Sequence, residues 1–380
     1  MDPVQLLAPS NALGNPAPFW FLELFKVLGF TLHLVPMNLW FAGMIFIATV
    51  GIFGKGMNKI AANRLANAMP VIVALGINFG IVPLLFLQVA YHKFYFASSI
   101  MMAAPWLSVI VLLIFAYYGV YLYVIKMRKG DVTPLARWAA WISAGCFLVI
   151  GFMFSNNMSL MTNADRWIEI FRQTNVAGAV TGLALNIGEP TLLPRWLMVL
   201  GMAVTTVGVY VVFDGAHFSR RESDAYREFA PRYGLKVYSL GCILFGAMAG
   251  WYLLGAMPKA ILDRITTDAW FQALLVVIAF LPVLLIGLTF IQRSRQTKFL
   301  ATMIAIIQFL FLGANAIARQ WVQNIEVARY FDVSTEAVHT QWSPMIVFLL
   351  LFIAGVAIVI WMVTKIVGVG KREAANHFVE

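Results

Sequence analysis

Nine apolar stretches, each about the length a helix needs to cross a bilayer, dominate this 380-residue chain. A transmembrane helix takes about 20 apolar residues. Stretches of that length fall at about 22–53, 68–92, 99–125, 136–160, 194–216, 237–258, 269–291, 299–322 and 343–367. With 61% hydrophobic residues, 12% charged residues and a mean hydropathy of +0.82, the chain lies far from a soluble domain. The expected fold is all-α: one polytopic membrane domain over residues 1–380, with about nine spans.

Charge placement orients it. Loops after the odd-numbered spans hold Lys55, Lys59, Arg64; Lys126, Arg128, Lys129, Arg137; Arg220, Arg221, Arg227, Arg232, Lys236; Arg293, Arg295, Lys298; and Lys365, Lys371, Arg372, which is 18 of 27 basic residues. The positive-inside rule then sets the N-terminus outside and the C-terminus in the cytoplasm, as in a bacterial inner-membrane protein. The net charge of +10 therefore reads as topology and anionic-lipid contact, not as a nucleic-acid footprint. The start of the chain lacks a basic region and cleavage site, so no removable signal peptide is expected. The segment 19–26 is expected along the interface. Pro70, Pro194 and Pro344 are expected near helix starts, and Pro36, Pro83 and Pro282 inside helices. Cys146 and Cys242 lie in apolar runs and read as small core residues. The long outer connection at 162–193 is either a docking surface or a polar cap.

The candidate chemistry rests on five histidines. An imidazole in lipid needs a hydrogen-bond partner or a metal. His33 in the first span, His92 at the end of the second and His339 before the ninth are expected at one depth, toward the outer face. His217 is expected at the cytoplasmic interface, and His377 lies in the tail. One reading makes His33 and His92 axial ligands of a b-type haem, with Met37, Met101, Met102 or Met345 as another possible ligand. The other has His33 bonded to Asn38, Asn78 or a proline-freed carbonyl, with the rest facing water. There is no C-x-x-C-H, phosphate loop, H-E-x-x-H or G-x-S-x-G, so covalent haem, phosphoryl transfer and hydrolysis are not signalled. Intramembrane acids are limited to Glu23 and Asp214, which weakens a proton-driven transporter reading.

Several segments resemble subunit I of the cytochrome bd-type quinol oxidases. They are His33 followed by Val35-Pro36, Gly76-Ile-Asn-Phe79, the turn Phe94-Tyr-Phe96, Asn156-Asn157, and Ala318-Arg-Gln-Trp321, similar to that family's Gly-Arg-Gln-Pro-Trp. The resemblance implies quinol oxidation in a respiratory chain and haem cofactors, with Arg319, Gln320 and Trp321 lining a cofactor or pairing a propionate. The departures are large. The family's low-spin haem takes a histidine from span 5 and a methionine from span 7; here the spans begin Pro194-Arg-Trp and Asp268-Ala-Trp, and neither contains a histidine. The family's acids in the second and last spans have no counterpart; Gln88 and His92 are the nearest polar residues to the first. The quinol-binding loop shrinks to 257–268. The resemblance therefore implies an electron-transfer subunit with one or two haem b groups at His33 and His92, working between the quinone pool and an outer partner such as a c-type cytochrome. The alternatives are a cofactor-free anchor or quinone-binding subunit and, below these, a true terminal oxidase.

Overall fold

The structure, a computed structural model, describes residues 3–10, 12–218 and 224–376. Arg220, Arg221 and His377 lie outside the described residues. Twelve helices follow in order: α1 Phe19–Phe46, α2 Gly56–Ala90, α3 His92–Met101, α4 Ala103–Arg128, α5 Pro134–Met161, α6 Asp165–Thr174, α7 Leu192–His217, α8 Asp224–Gly250, α9 Lys259–Thr267, α10 Ala269–Arg295, α11 Lys298–Ala328 and α12 Trp342–Asn376. A two-stranded ribbon, β1 Asn175–Val176 and β2 Ala179–Val180, follows α6. Among the described residues eight helices are long and apolar enough to cross a membrane. The ninth expected span falls on α12, whose apolar part is described over Trp342–Ile358. The all-α, membrane-spanning expectation holds.

Local sequence explains the helix starts. Thr133 accepts a hydrogen bond from Ala136 N with Pro134 at the first helical position of α5. Asp268 accepts from Trp270 N and Phe271 N at the start of α10. Two expectations change. Pro70 is not near a helix start, because α2 begins at Gly56 and is 35 residues long. Its first turns pack Ala61, Ala62, Leu65 and Ala66 inward at helical spacing while Asn58 and Lys59 face out. The segment 19–26 is not a separate element lying across the bundle: it is the first part of α1, and Lys26 is buried within the bundle.

Helix α1 is the most buried span. It packs on α2, α7 and α11. The tightest pair is α7 with α8, and its cause is a seven-residue glycine repeat. Gly201 and Gly208 on α7 meet Gly241 and Gly234 on α8, and Gly215 meets Ala230. A Cβ on Gly208 would stand 2.6 Å from Tyr238 N, and one on Gly241 would stand 2.5 Å from Thr205 N. Without a hydrophobic drive between helices in lipid, such backbone approach supplies the van der Waals contact that holds them.

The two ends of the bundle differ. At one end basic residues tie helix termini together: Arg128 bonds Asn67, Arg227 bonds the Gln296 carbonyl, and Arg64 grips Asp214 through two bonds of 2.5 and 2.9 Å. At the opposite end α6, the ribbon and α9 form a cap. There Asn15 N bonds the Ala337 carbonyl and His339 N bonds the Asn15 carbonyl, which clips the N-terminal segment to the α11–α12 connection.

Candidate functional site: a polar seam between α1, α2 and α11

Helix α1 presents Glu23, Lys26, Phe30 and His33 at spacings of three and four, which aligns them along one face. His33 Nδ1 lies 2.8 Å from the Gly76 carbonyl of α2. A carbonyl only accepts, so Nδ1 carries the proton and Nε2 keeps its lone pair. Gly80, one turn along α2, has room for the ring only because it lacks a side chain: a Cβ there would lie 2.8 Å from His33 Cε1. Trp40 fits against Gly76 in the same way, at 2.4 Å. Its ring meets His33 edge-on at 5.8 Å and stacks on Phe147 at 5.4 Å. Neither Asn38 nor Asn78 is the partner of His33. Asn38 bonds Thr206, and Asn78 bonds the Ala74 carbonyl.

Phe30 joins His33 to Arg319. Its ring centroid is 6.4 Å from the imidazole, and the Arg319 guanidinium sits over the same ring at 4.6 Å. Arg319 makes no ion pair among the described residues and keeps exposed surface on α11. Gln320 faces a different set. It accepts from Lys26 Nζ at 2.6 Å and donates to Tyr91 Oη at 2.6 Å. Tyr91 donates to Asn324, and Asn324 donates to Glu23 at 2.5 Å. Lys26 also lies 4.2 Å from the Tyr91 ring centroid. The buried ammonium and the carboxylate are thus joined by an unbroken hydrogen-bonded chain, which offsets the cost of both charges inside the bundle. Arg195 of α7 pairs with Glu326 of α11 and stacks over Tyr252. Trp321 points away from this seam and packs on Phe271 of α10.

The structure does not bring His33 and His92 to one centre. His33 abuts Gly80, and His92 lies twelve residues further along, about 18 Å at the rise of an α-helix. Nor are the two at one level: Tyr91 and Gln320 sit beside Lys26, about 10 Å from His33 toward the start of α1. His92 Nε2 is buried with no hydrogen-bond partner, and Nδ1 faces the Val89 carbonyl at 3.4 Å. His339 Nδ1 bonds the Leu13 carbonyl, and His217 Nε2 bonds Thr302 Oγ1 at 3.0 Å. Both serve as ties between segments. Met101 and Met102 are buried in the cluster with Tyr91 and Leu160. The described residues contain no cluster of three or more His, Cys, Asp or Glu able to hold a metal ion.

Sequence reasoning missed Lys26, Tyr91, Arg195, Asn324 and Glu326. The one available signal was the α1 spacing of Glu23 and Lys26 against His33.

No protein-family model and no curated protein matches the sequence. Among solved structures the chain is similar to the bd oxidase from Geobacillus thermodenitrificans, with a TM-score of 0.69 at 12% identity, over 94% of this chain and 99% of that one. The chain therefore has the fold of a bd oxidase subunit over nearly its whole length.

Proposed function

We propose that this chain is a membrane subunit of a respiratory electron-transfer complex that binds haem b at His33 and passes electrons between the quinone pool and a redox partner on the outer face, such as a c-type cytochrome. The observation that carries the reading is the pinned imidazole. Nδ1 is fixed by a backbone carbonyl, the arrangement that orients metal-bound histidines and leaves Nε2 as the ligand atom. Arg319, close by on the far side of Phe30 and in no ion pair among the described residues, suits a propionate. The group would supply one-electron exchange. The chain's own part is to hold the iron through His33, anchor the periphery through Arg319, and exclude water with Phe30, Trp40 and Phe147. Gln320 is a positioning residue that holds Lys26 and Tyr91. Trp321 packs α11 on α10 through Phe271, outside this set. The buried Nε2 of His92 suits a second, separate group.

The fold similarity supports a respiratory setting in a bacterial inner membrane, N-terminus outside. The missing ligands in α7 and α10 weigh against a terminal oxidase. A second reading, a cofactor-free or quinone-binding anchor, is favoured by the close aromatic packing of Trp40 on His33. An absorbance spectrum of the purified protein separates them. The proposal expects a Soret band and a b-type α band that His33→Ala removes or shifts. No haem by the pyridine hemochrome assay leaves the anchor reading.

A further inference from the structure

On the lipid-facing side, away from His33, α4 and α5 enclose an apolar groove of about 240 Å³. Its floor is low because the helices touch through small residues. Gly119 lies against Ala139 and Ser143, where a Cβ would stand 2.3 Å from Ser143 Oγ, and Ser143 Oγ donates to the Ala116 carbonyl at 2.9 Å. The walls are high because Phe115, Tyr118, Trp138 and Ile142 project on both sides and are exposed. The α4 wall then continues toward the basic end of the bundle. Phe115, Gly119, Leu122, Lys126 and Lys129 recur at four- and three-residue steps, which keeps them on one face. Two ammonium groups therefore stand at the mouth of an apolar groove that runs parallel to the helix axes. Lys126 shares its charge with Asp131 at 3.6 Å, and Lys129 is exposed.

We infer that this groove is a binding site for an anionic phospholipid, with one acyl chain between Tyr118 and Trp138 and the phosphate at Lys126 and Lys129. Charge and shape both select this occupant. A lipid presents an acyl chain along the bilayer normal and a negative headgroup at the height of the lysines. A partner helix would also cover the groove, but nothing in an apolar helix face answers the two lysines at its mouth, whereas a lipid phosphate does.

The test is lipid retention by the purified full-length protein, read by native mass spectrometry during titration with phosphatidylglycerol or phosphatidylcholine. A lysine near the surface contributes about fivefold to anionic-lipid binding, and Asp131 offsets part of the Lys126 charge, so the wild type is expected to prefer phosphatidylglycerol by about 5- to 30-fold. K126Q/K129Q should lose that preference while still taking either lipid. Leu122→Trp, which fills the groove, should lose both, and thermal unfolding checks that each variant is folded. Equal binding of the two lipids by the wild type overturns the inference. So does a preference unchanged in the double lysine variant, or a membrane polypeptide that co-purifies and crosslinks through position 138.

Discussion

Replacing Gly208 with alanine measures how far backbone approach holds α7 to α8. The new Cβ would stand 2.6 Å from Tyr238 N and 2.8 Å from the Gly234 carbonyl oxygen. Both are backbone atoms inside a helix, so no side chain can swing aside. Ordinary contact begins at 3.4 Å, which requires α8 to retreat by about 0.8 Å, the gap between 2.6 and 3.4 Å. That retreat also loosens the contacts at Gly201 and Gly241, where a Cβ would stand 2.5 Å from the opposite backbone. Overpacking of this kind costs about 1–3 kcal/mol. Alanine also gains about 1 kcal/mol in helix propensity over glycine, which would mask part of the effect. Gly246 on the same α8 supplies the correction. Nothing lies within 4 Å of a Cβ built there, so Gly246→Ala takes the propensity gain alone. The difference between the two variants is the steric cost, about 1–3 kcal/mol. Thermal unfolding in one detergent, followed by tryptophan fluorescence, should place G208A several degrees below G246A. Coincident midpoints would refute the argument that these glycines set the helix spacing.

Two further outcomes follow from the polar end of the bundle. Arg195→Met should destabilise the chain by about 3–5 kcal/mol, because it leaves Glu326 buried without its partner, and the double variant with Glu326→Leu should recover most of the loss in the same unfolding assay. Burial and the hydrogen bond to Asp165 push the Tyr330 phenol, outside the spans, from its ordinary 10.0 up to about 12. The neutral form is the one the fold favours, so its contribution is complete below pH 10 and is lost as pH rises through about 12. Tyr330→Phe should flatten the stability profile across that window relative to wild type.

The fold was legible because lipid imposes a length and composition on every span. Helix ends were less so. Hydropathy marks where a helix leaves lipid, not where it ends, and the first turns of α2 carry Asn58, Lys59 and Arg64 on an otherwise well-packed helix. The inward spacing of Ala61, Ala62, Leu65 and Ala66 was present in the sequence and points to the true start. The glycines at 201, 208 and 215 repeat every seven residues, and a search for that period would have paired α7 with the helix carrying Gly234 and Gly241.

The site was half legible for a related reason. His33 is conspicuous because one polar group in a long apolar run has no local partner. Its actual partner is a carbonyl, Gly76 O, which every residue possesses and no sequence pattern marks. Lys26 was hidden by the opposite effect: a charge near a span end reads as an interfacial residue that reaches for water. What keeps it inside is Gln320, 294 residues away, together with Tyr91 at the first residue past α2. The Arg195–Glu326 pair likewise spans 131 residues. Such pairs become visible only once α1, α7 and α11 are neighbours, so topology had to come before electrostatics. That order also changes how Ala318-Arg-Gln-Trp321 is read. As a motif it suggests three residues around one cofactor. On the helix, Arg319 reaches Phe30 beside His33, Gln320 reaches Lys26 and Tyr91, and Trp321 reaches Phe271. One turn of α11 thus ties α1, α2 and α10 together through three side chains that face three different helices.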